Sequence, residues 1–138
     1  MADRDRAHGE TDLAAMLSTL EVDRGPEAVV FITVPPGRAL AVDVQPFAMV
    51  EEREGTTFVV RRHEADRDGY AYDFVGAWLT LRVHSSLAAV GLTAAVSRAL
   101  ADAGIPANIL AGHYHDHVLV PAIDADRAIA ALAALTTR

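Results

Sequence analysis

WLTLRVHSSLAAVGLTAAVSRALADAGIPANILAGHYHDHVLVP, residues 78–121, decides the fold. Its first seven residues place Leu79, Leu81 and Val83 at alternate positions, the period of a strand with one buried face. From about Leu87 to Ala103 the period becomes helical: Leu92, Val96, Ala99, Leu100 and Ala103 share one side, and Gly104 is a natural stop. Residues 108–112 and 118–120 form short apolar strands on either side of a polar tip, His113-Tyr114-His115-Asp116-His117, and Pro121 closes the second. Asp124 then precedes an alanine-rich helix with Ala125, Ala128, Ile129, Leu132 and Leu135 on one face. The order is β-α-β-β-α, one strand short of βαββαβ.

That six-element order is the ferredoxin-like α+β fold, an antiparallel sheet with its helices on one face. An open sheet edge invites aggregation, so a strand must cover it. The first half offers residues 28–34 (AVVFITV), an apolar β-branched run ended by Pro35-Pro36-Gly37; a second subunit is the other source. Upstream, Thr11 and Asp12 open a short amphipathic helix with Leu13, Met16, Leu17 and Leu20 at i, i+3, i+4, i+7, and Arg24-Gly25-Pro26 breaks the pattern. Residues 47–53 and 57–62 read as a hairpin turned at Glu54-Gly55-Thr56, and residues 64–72, charged and without periodicity, read as a loop. The expected organisation is a polar tail over 1–10, a partial unit over 11–75 and a fuller unit over 76–138.

Composition narrows the chemistry. The 138-residue chain has no cysteine, which removes disulfides, thiolate metal sites and cysteine nucleophiles together. All twelve basic residues are arginine, so neither a Schiff-base nor a phosphate-loop lysine is available. A net charge of −7 argues against a general grip on nucleic acid. No apolar run approaches the ~18 residues of a membrane span, and the first ten residues are not a signal sequence. The expected location is the cytoplasm.

The strings from Val83 to Ser97 (VHSSLAAVGLTAAVS), Gly104-Ile105-Pro106-Ala107-Asn108 and Tyr114 to Pro121 (YHDHVLVP) resemble an ACT domain. With Ile32-Thr33-Val34-Pro35 and Arg53-Glu54-Gly55-Thr56, the resemblance extends over roughly Asp12 to Leu135. It is narrowest to small stand-alone bacterial proteins of uncharacterised function built from one full and one partial ACT unit. The resemblance implies a non-enzymatic regulatory module that binds an amino acid or similar small molecule between two units, as a homodimer or higher oligomer. It implies no cofactor, catalytic group, nucleic acid or membrane. Carried onto this chain, it puts the ligand at the strand-to-helix loop: Ser85, Ser86, the backbone of Val90, Gly91 and Leu92, and Asn108 after the helix. The chain departs from the family pattern at Ala88, often polar in amino-acid binders, and in the longer segment before Asn108.

Each of these residues has an alternative reading. Gly91 relieves packing at the first helical turn, or lets a ligand carboxylate reach the helix N–H groups. With an ordinary helical φ, a Gly91→Val change would cost the unliganded protein little. Ser85 and Ser86 cap the helix or add hydroxyls, and Asn108 bonds a ligand or tolerates an unusual backbone angle. His113, His115 and His117 would share one face of a strand, the basis of a rival reading as a metal-dependent enzyme. A turn between them leaves a subunit contact or a solvated tip; a purely structural dimer is the third reading. His84 beside the serines lacks the orienting acid of a nucleophilic triad. Glu51, Glu52 and Glu54 read as a solvated face, and Trp78 as core or interface.

Overall fold

The computed structural model describes residues 13–83 and 90–137. A helix runs through residues 13–19 (α1), followed by strand β1 (Glu21–Val34), the hairpin β2 (Ala48–Glu52) and β3 (Gly55–Arg61), helix α2 (Arg62–Asp68), β4 (Val75–Arg82), α3 (Leu92–Asp102), β5 (Asn108–Ala111), β6 (Asp116–Pro121) and α4 (Ala125–Ala133). Short 3₁₀ turns flank α4. The strands form one six-stranded sheet in the order β2-β3-β1-β4-β6-β5, with every neighbour antiparallel.

This order contains the ferredoxin-like arrangement twice. One unit is β4-α3-β5-β6-α4 with β1 in the place of its last strand; the other is β1-β2-β3-α2 with β4 in that place. Each central strand therefore completes the other unit. The strand expected to cover the edge does so, but pairs with β4 mainly through its earlier half, Glu21 to Arg24 and Ala28 to Val30, while Val29 to Val34 pair with β3.

Alternation sorts the sheet into two faces. Leu79, Leu81, Val118 and Val120 pack with Met16, Leu20, Val96, Leu100, Ala128 and Leu132 beneath α1, α3 and α4. Val30, Ile32, Phe58 and Val60 pack with Ala65 of α2 on the same side. The other face, which carries no helix among the described residues, holds Val29, Val59, Trp78 and Leu119, roofed in part by Phe31, Phe47 and Phe74.

Several local expectations need correction. Arg24-Gly25-Pro26 interrupts nothing: it lies inside β1 as a bulge, where Gly25, Pro26 and Glu27 stand opposite Trp78 alone. Proline lacks a ladder N–H, and a bulge is where a strand tolerates it. The hairpin turn is Arg53-Glu54, one residue earlier than expected, because Glu52 already pairs with Gly55. Gly55 instead lets β1 come close: a Cβ there would sit 2.5 Å from the Val34 carbonyl oxygen, at φ +147°. The segment read as a loop over 64–72 contains most of α2. Only Glu64 and Ala65 of that helix are buried, so no apolar stripe announces it. It is held from outside: Gly69 caps it left-handed, and the Tyr72 hydroxyl donates to Asp66 at 2.7 Å while accepting from Arg62 at 3.1 Å.

At the far end of α3 the sequence reads correctly. Ile105 N–H donates to Leu100 O and Gly104 N–H to Ala101 O, both at 2.9 Å, the paired bonds of a Schellman stop with glycine at φ +71°. Asp124 stands at the N-cap of α4, yet its carboxylate accepts from Arg127 at 2.9 Å and makes no capping bond to the backbone.

Candidate functional site

Helix α3 starts at Leu92, because Gly91 sits at φ +102°, ψ −18° and cannot continue a right-handed helix; Leu87, where the helix was expected to begin, lies outside the described residues. The condition under which Gly91→Val would cost the unliganded protein little, an ordinary helical φ, is therefore not met. Its missing side chain also has a packing reason, since a Cβ would stand 2.8 Å from Leu13 Cδ2 of α1. Val90 before it is 84% exposed, and Leu92 after it is buried, so Leu92 can offer a ligand its backbone only. The Gly91 carbonyl accepts from Ala95 N–H at 2.9 Å, starting the helical ladder. The N–H groups of the first turn have no intrahelical acceptor, and among the described residues neither a capping side chain nor an acidic residue occupies that turn. Ser85, Ser86 and His84 lie outside the described residues.

Asn108 is exposed on the edge strand β5, paired through the backbone with Leu119. It follows the C-terminal end of α3, whereas Gly91 marks the other end. Eleven helical residues separate the two ends by about 16 Å at ~1.5 Å per residue. One chain thus presents Gly91 and Asn108 in different places. The residues expected at one site are brought together only in part: Val90, Gly91 and Leu92 adjoin, and Asn108 stands exposed on the edge strand, past the opposite end of α3.

The histidine string turns where expected. Gly112 N–H donates to the His115 carbonyl at 2.9 Å, closing the connection between β5 and β6. His113 lies edge-on against the exposed Tyr114, centroids 4.8 Å apart. His115 Nδ1 is buried, with no hydrogen-bond partner among the described residues. His117, the only one of the three within β6, stacks on Trp78 at 4.7 Å and 26°, its Nδ1 3.0 Å from the Thr80 hydroxyl. Burial, reinforced by His115 and opposed by Asp116, pushes the His117 pKa down from its ordinary value. Alternation is lost across the turn, and among the described residues no three His, Asp or Glu side chains are gathered to hold a metal ion. Glu51, Glu52 and Glu54 are exposed, and Trp78 is core.

Sequence reading did not anticipate a groove of about 490 Å³ between α1, α3 and α4. Leu17, Ala95, Ala99, Ala131 and Leu135 line it, with Arg98 and Asp102 beside them. Leu17, Ala99 and Leu135 belong to the stripes visible in the sequence, whereas Ala95 and Ala131 lie beside those stripes. No described helix is long and apolar enough to cross a membrane.

Comparison with known proteins agrees with this architecture. The family described as ACT domain matches twice, over residues 8–77 and again over residues 74–134. A protein of unknown function from Vibrio cholerae, described as a possible transport protein, is 36% identical. The match covers 93% of this chain and 98% of that one, with a TM-score of 0.81. A protein from Agrobacterium tumefaciens shares the fold at 17% identity and a TM-score of 0.68, covering 85% of this chain and 89% of its own. The ligand-free regulatory subunit of aspartate kinase from Thermus thermophilus shares it at 16% identity and 0.55, covering 82% and 93%. No curated protein matches the chain. With two ACT matches laid end to end over a sheet that contains the ferredoxin-like order twice, the chain belongs to the ACT domain family.

Proposed function

We propose that this chain is a non-enzymatic regulatory module that binds a free amino acid at the start of α3, with β5 of a second copy closing the site. The coarser part, a regulatory small-molecule-binding module, follows from membership of the ACT family and from the fold shared with the aspartate kinase regulatory subunit. The observation that carries the finer reading is the first turn of α3. Among the described residues, its N–H groups have no side-chain cap, the turn holds no acidic residue, and the exposed Val90 precedes it. Such a turn attracts a carboxylate, through oriented N–H groups and the positive end of the helix dipole. The α-carboxylate of an amino acid supplies that charge. Ser85 and Ser86 would add hydroxyls from the preceding segment.

The separation of Gly91 from Asn108 favours a site shared between copies, in which Asn108 of one chain approaches the α3 start of another. The edge strand β5 supports this reading, since its residues Asn108, Ile109, Leu110 and Ala111 carry no charge to discourage pairing. A homodimer or higher oligomer in the cytoplasm is the expected form. Units over 11–75 and 76–138, meeting at the start of β4, are the corresponding division. Binding would act by favouring one geometry of the interface over another.

The test is a thermal-shift screen against the proteinogenic amino acids, with sedimentation of the protein in the presence and absence of any hit. One amino acid should raise the transition in a concentration-dependent way, by about 2.7 kcal/mol of stability at 100 times its Kd. The sedimenting species should be a dimer or larger. No shift from any amino acid at millimolar concentration would overturn the ligand class. A strictly monomeric species at binding concentrations would overturn the shared site.

A further inference from the structure

We propose that His117 is a proton-operated latch holding the β5–β6 hairpin, and with it the edge strand β5, against the helix-free face of the sheet. The geometry is that of a clamp. The imidazole lies nearly flat on Trp78, ring centroids 4.7 Å apart, and Trp78 in turn contacts Phe47 at 5.2 Å. Nδ1 is tied to the Thr80 hydroxyl of β4 at 3.0 Å. On the other side the hairpin backbone closes down on the ring: a Cβ at Gly112 would sit 3.3 Å from His117 Nε2 and 2.7 Å from the His115 carbonyl. The half-buried ring thus joins β6 to β4 through one hydrogen bond and one stack, with the turn packed over its edge. Beyond β6, β5 pairs with no other strand, and its further holds are Ile109 against the helix-side core and Leu110 against the cluster around Trp78.

The charges around the ring decide what a proton does. On β4 the hydrogen-bonding neighbour is a neutral hydroxyl. Across β4, Asp23 of β1 faces Thr80 but is engaged by Arg82 at 2.6 Å. On β5 the residue opposite is Leu110. On the hairpin itself stand His115, Asp116 and, at the tip, His113. A cationic ring would gain some attraction to the indole face. Against that it loses solvent, and the neighbouring His115 opposes the added charge; Asp116 compensates only in part. Acidification therefore loosens the clamp, because the neutral ring is the form that fits. The loosened element is the strand that carries Asn108, so proton concentration would set how well ordered this sheet edge is. The inference does not rest on the ligand reading and fails or survives apart from it.

Trp78 is the only tryptophan, so its emission reports on the stack directly. The experiment titrates tryptophan fluorescence from pH 8 to 5 in wild type and in His117→Phe, which keeps a flat ring but cannot ionise. Hydrogen exchange of residues 108–111 is measured at both ends of the range. In wild type, emission should change with a midpoint below 6.5, and β5 should exchange at least tenfold faster at low pH after correction for the intrinsic rate. Both effects should vanish in His117→Phe. A transition that persists in that variant, or β5 protection independent of pH, overturns the latch. Should the variant misfold, an NMR titration of the unmodified protein decides, following the ring whose protons contact the indole. Titration below the ordinary histidine value together with the β5 exchange supports the latch, and titration at or above that value overturns it.

Discussion

Replacing Gly91 by alanine separates the conformational role of this glycine from any role in binding. Its φ of +102° lies where side chains are strained, at a cost of roughly 1–2 kcal/mol for a single residue. The new Cβ would also approach Leu13 Cδ2 to 2.8 Å, so Leu13 must turn aside. Leu13 is the far end of a flexible side chain, and displacing it off its rotamer costs about 0.5–1.5 kcal/mol. The sum is about 1.5–3.5 kcal/mol, which for a domain of this size lowers the Tm by roughly 5–15 °C. Urea denaturation of four proteins measures it: wild type, Gly91→Ala, Leu13→Ala and the double variant. In the Leu13→Ala background the collision is gone, so Gly91→Ala should cost only the φ term there, leaving a coupling of about 0.5–1.5 kcal/mol. Gly104→Ala is the control, at φ +71° with open space around the added carbon. Stability of Gly91→Ala within about 0.5 kcal/mol of wild type would refute the argument, and equal costs in both backgrounds would refute the contact with Leu13. Any loss of ligand response in a Gly91 variant must be read against this unfolding.

Gly55→Ala should be worse, at about 3–5 kcal/mol, because the added carbon meets the Val34 backbone oxygen, which cannot turn aside; chemical denaturation checks this ranking. His117 has a lowered folded-state pKa, so the unfolded chain binds the proton more readily. Its contribution to stability is complete above the unfolded value of about 6.5 and is lost as pH falls through the folded value. Urea midpoints in wild type should therefore fall more steeply between pH 7 and 5 than in His117→Phe, and parallel curves would contradict the assignment. Asn108→Ala should weaken binding of whichever amino acid the screen identifies by about 0.5–1.5 kcal/mol in calorimetric titration, with little change in folding because its side chain is exposed. Unchanged affinity would remove Asn108 from the site.

The sequence by itself determined the elements whose evidence is local. The alternation of Leu79, Leu81 and Val83 fixed β4, and the stripe of Leu92, Val96 and Leu100 with Gly104 behind it fixed α3 and its stop, because pattern and cap are set by residues within a few positions of one another. Only the tertiary structure decided what depends on distant partners. β1 runs through Gly25-Pro26 because Trp78 and its neighbours on β4 hold both sides of the bulge. The helix α2 forms over a charged, aperiodic stretch because Gly69 stops it and Tyr72, beyond its end, is bonded to both Arg62 and Asp66. The candidate site divides along the same line. The glycine before α3 was legible, whereas its left-handed φ depends on the chain's path past Leu13. Asn108 was legible as a polar residue after a helix, yet its distance from Gly91 is set by the length of α3 and the register of β5 on β6. Short-range periodicity is a property of the chain; strand partners, registers and close approaches are settled by contacts between residues far apart in it, which a linear pattern does not contain.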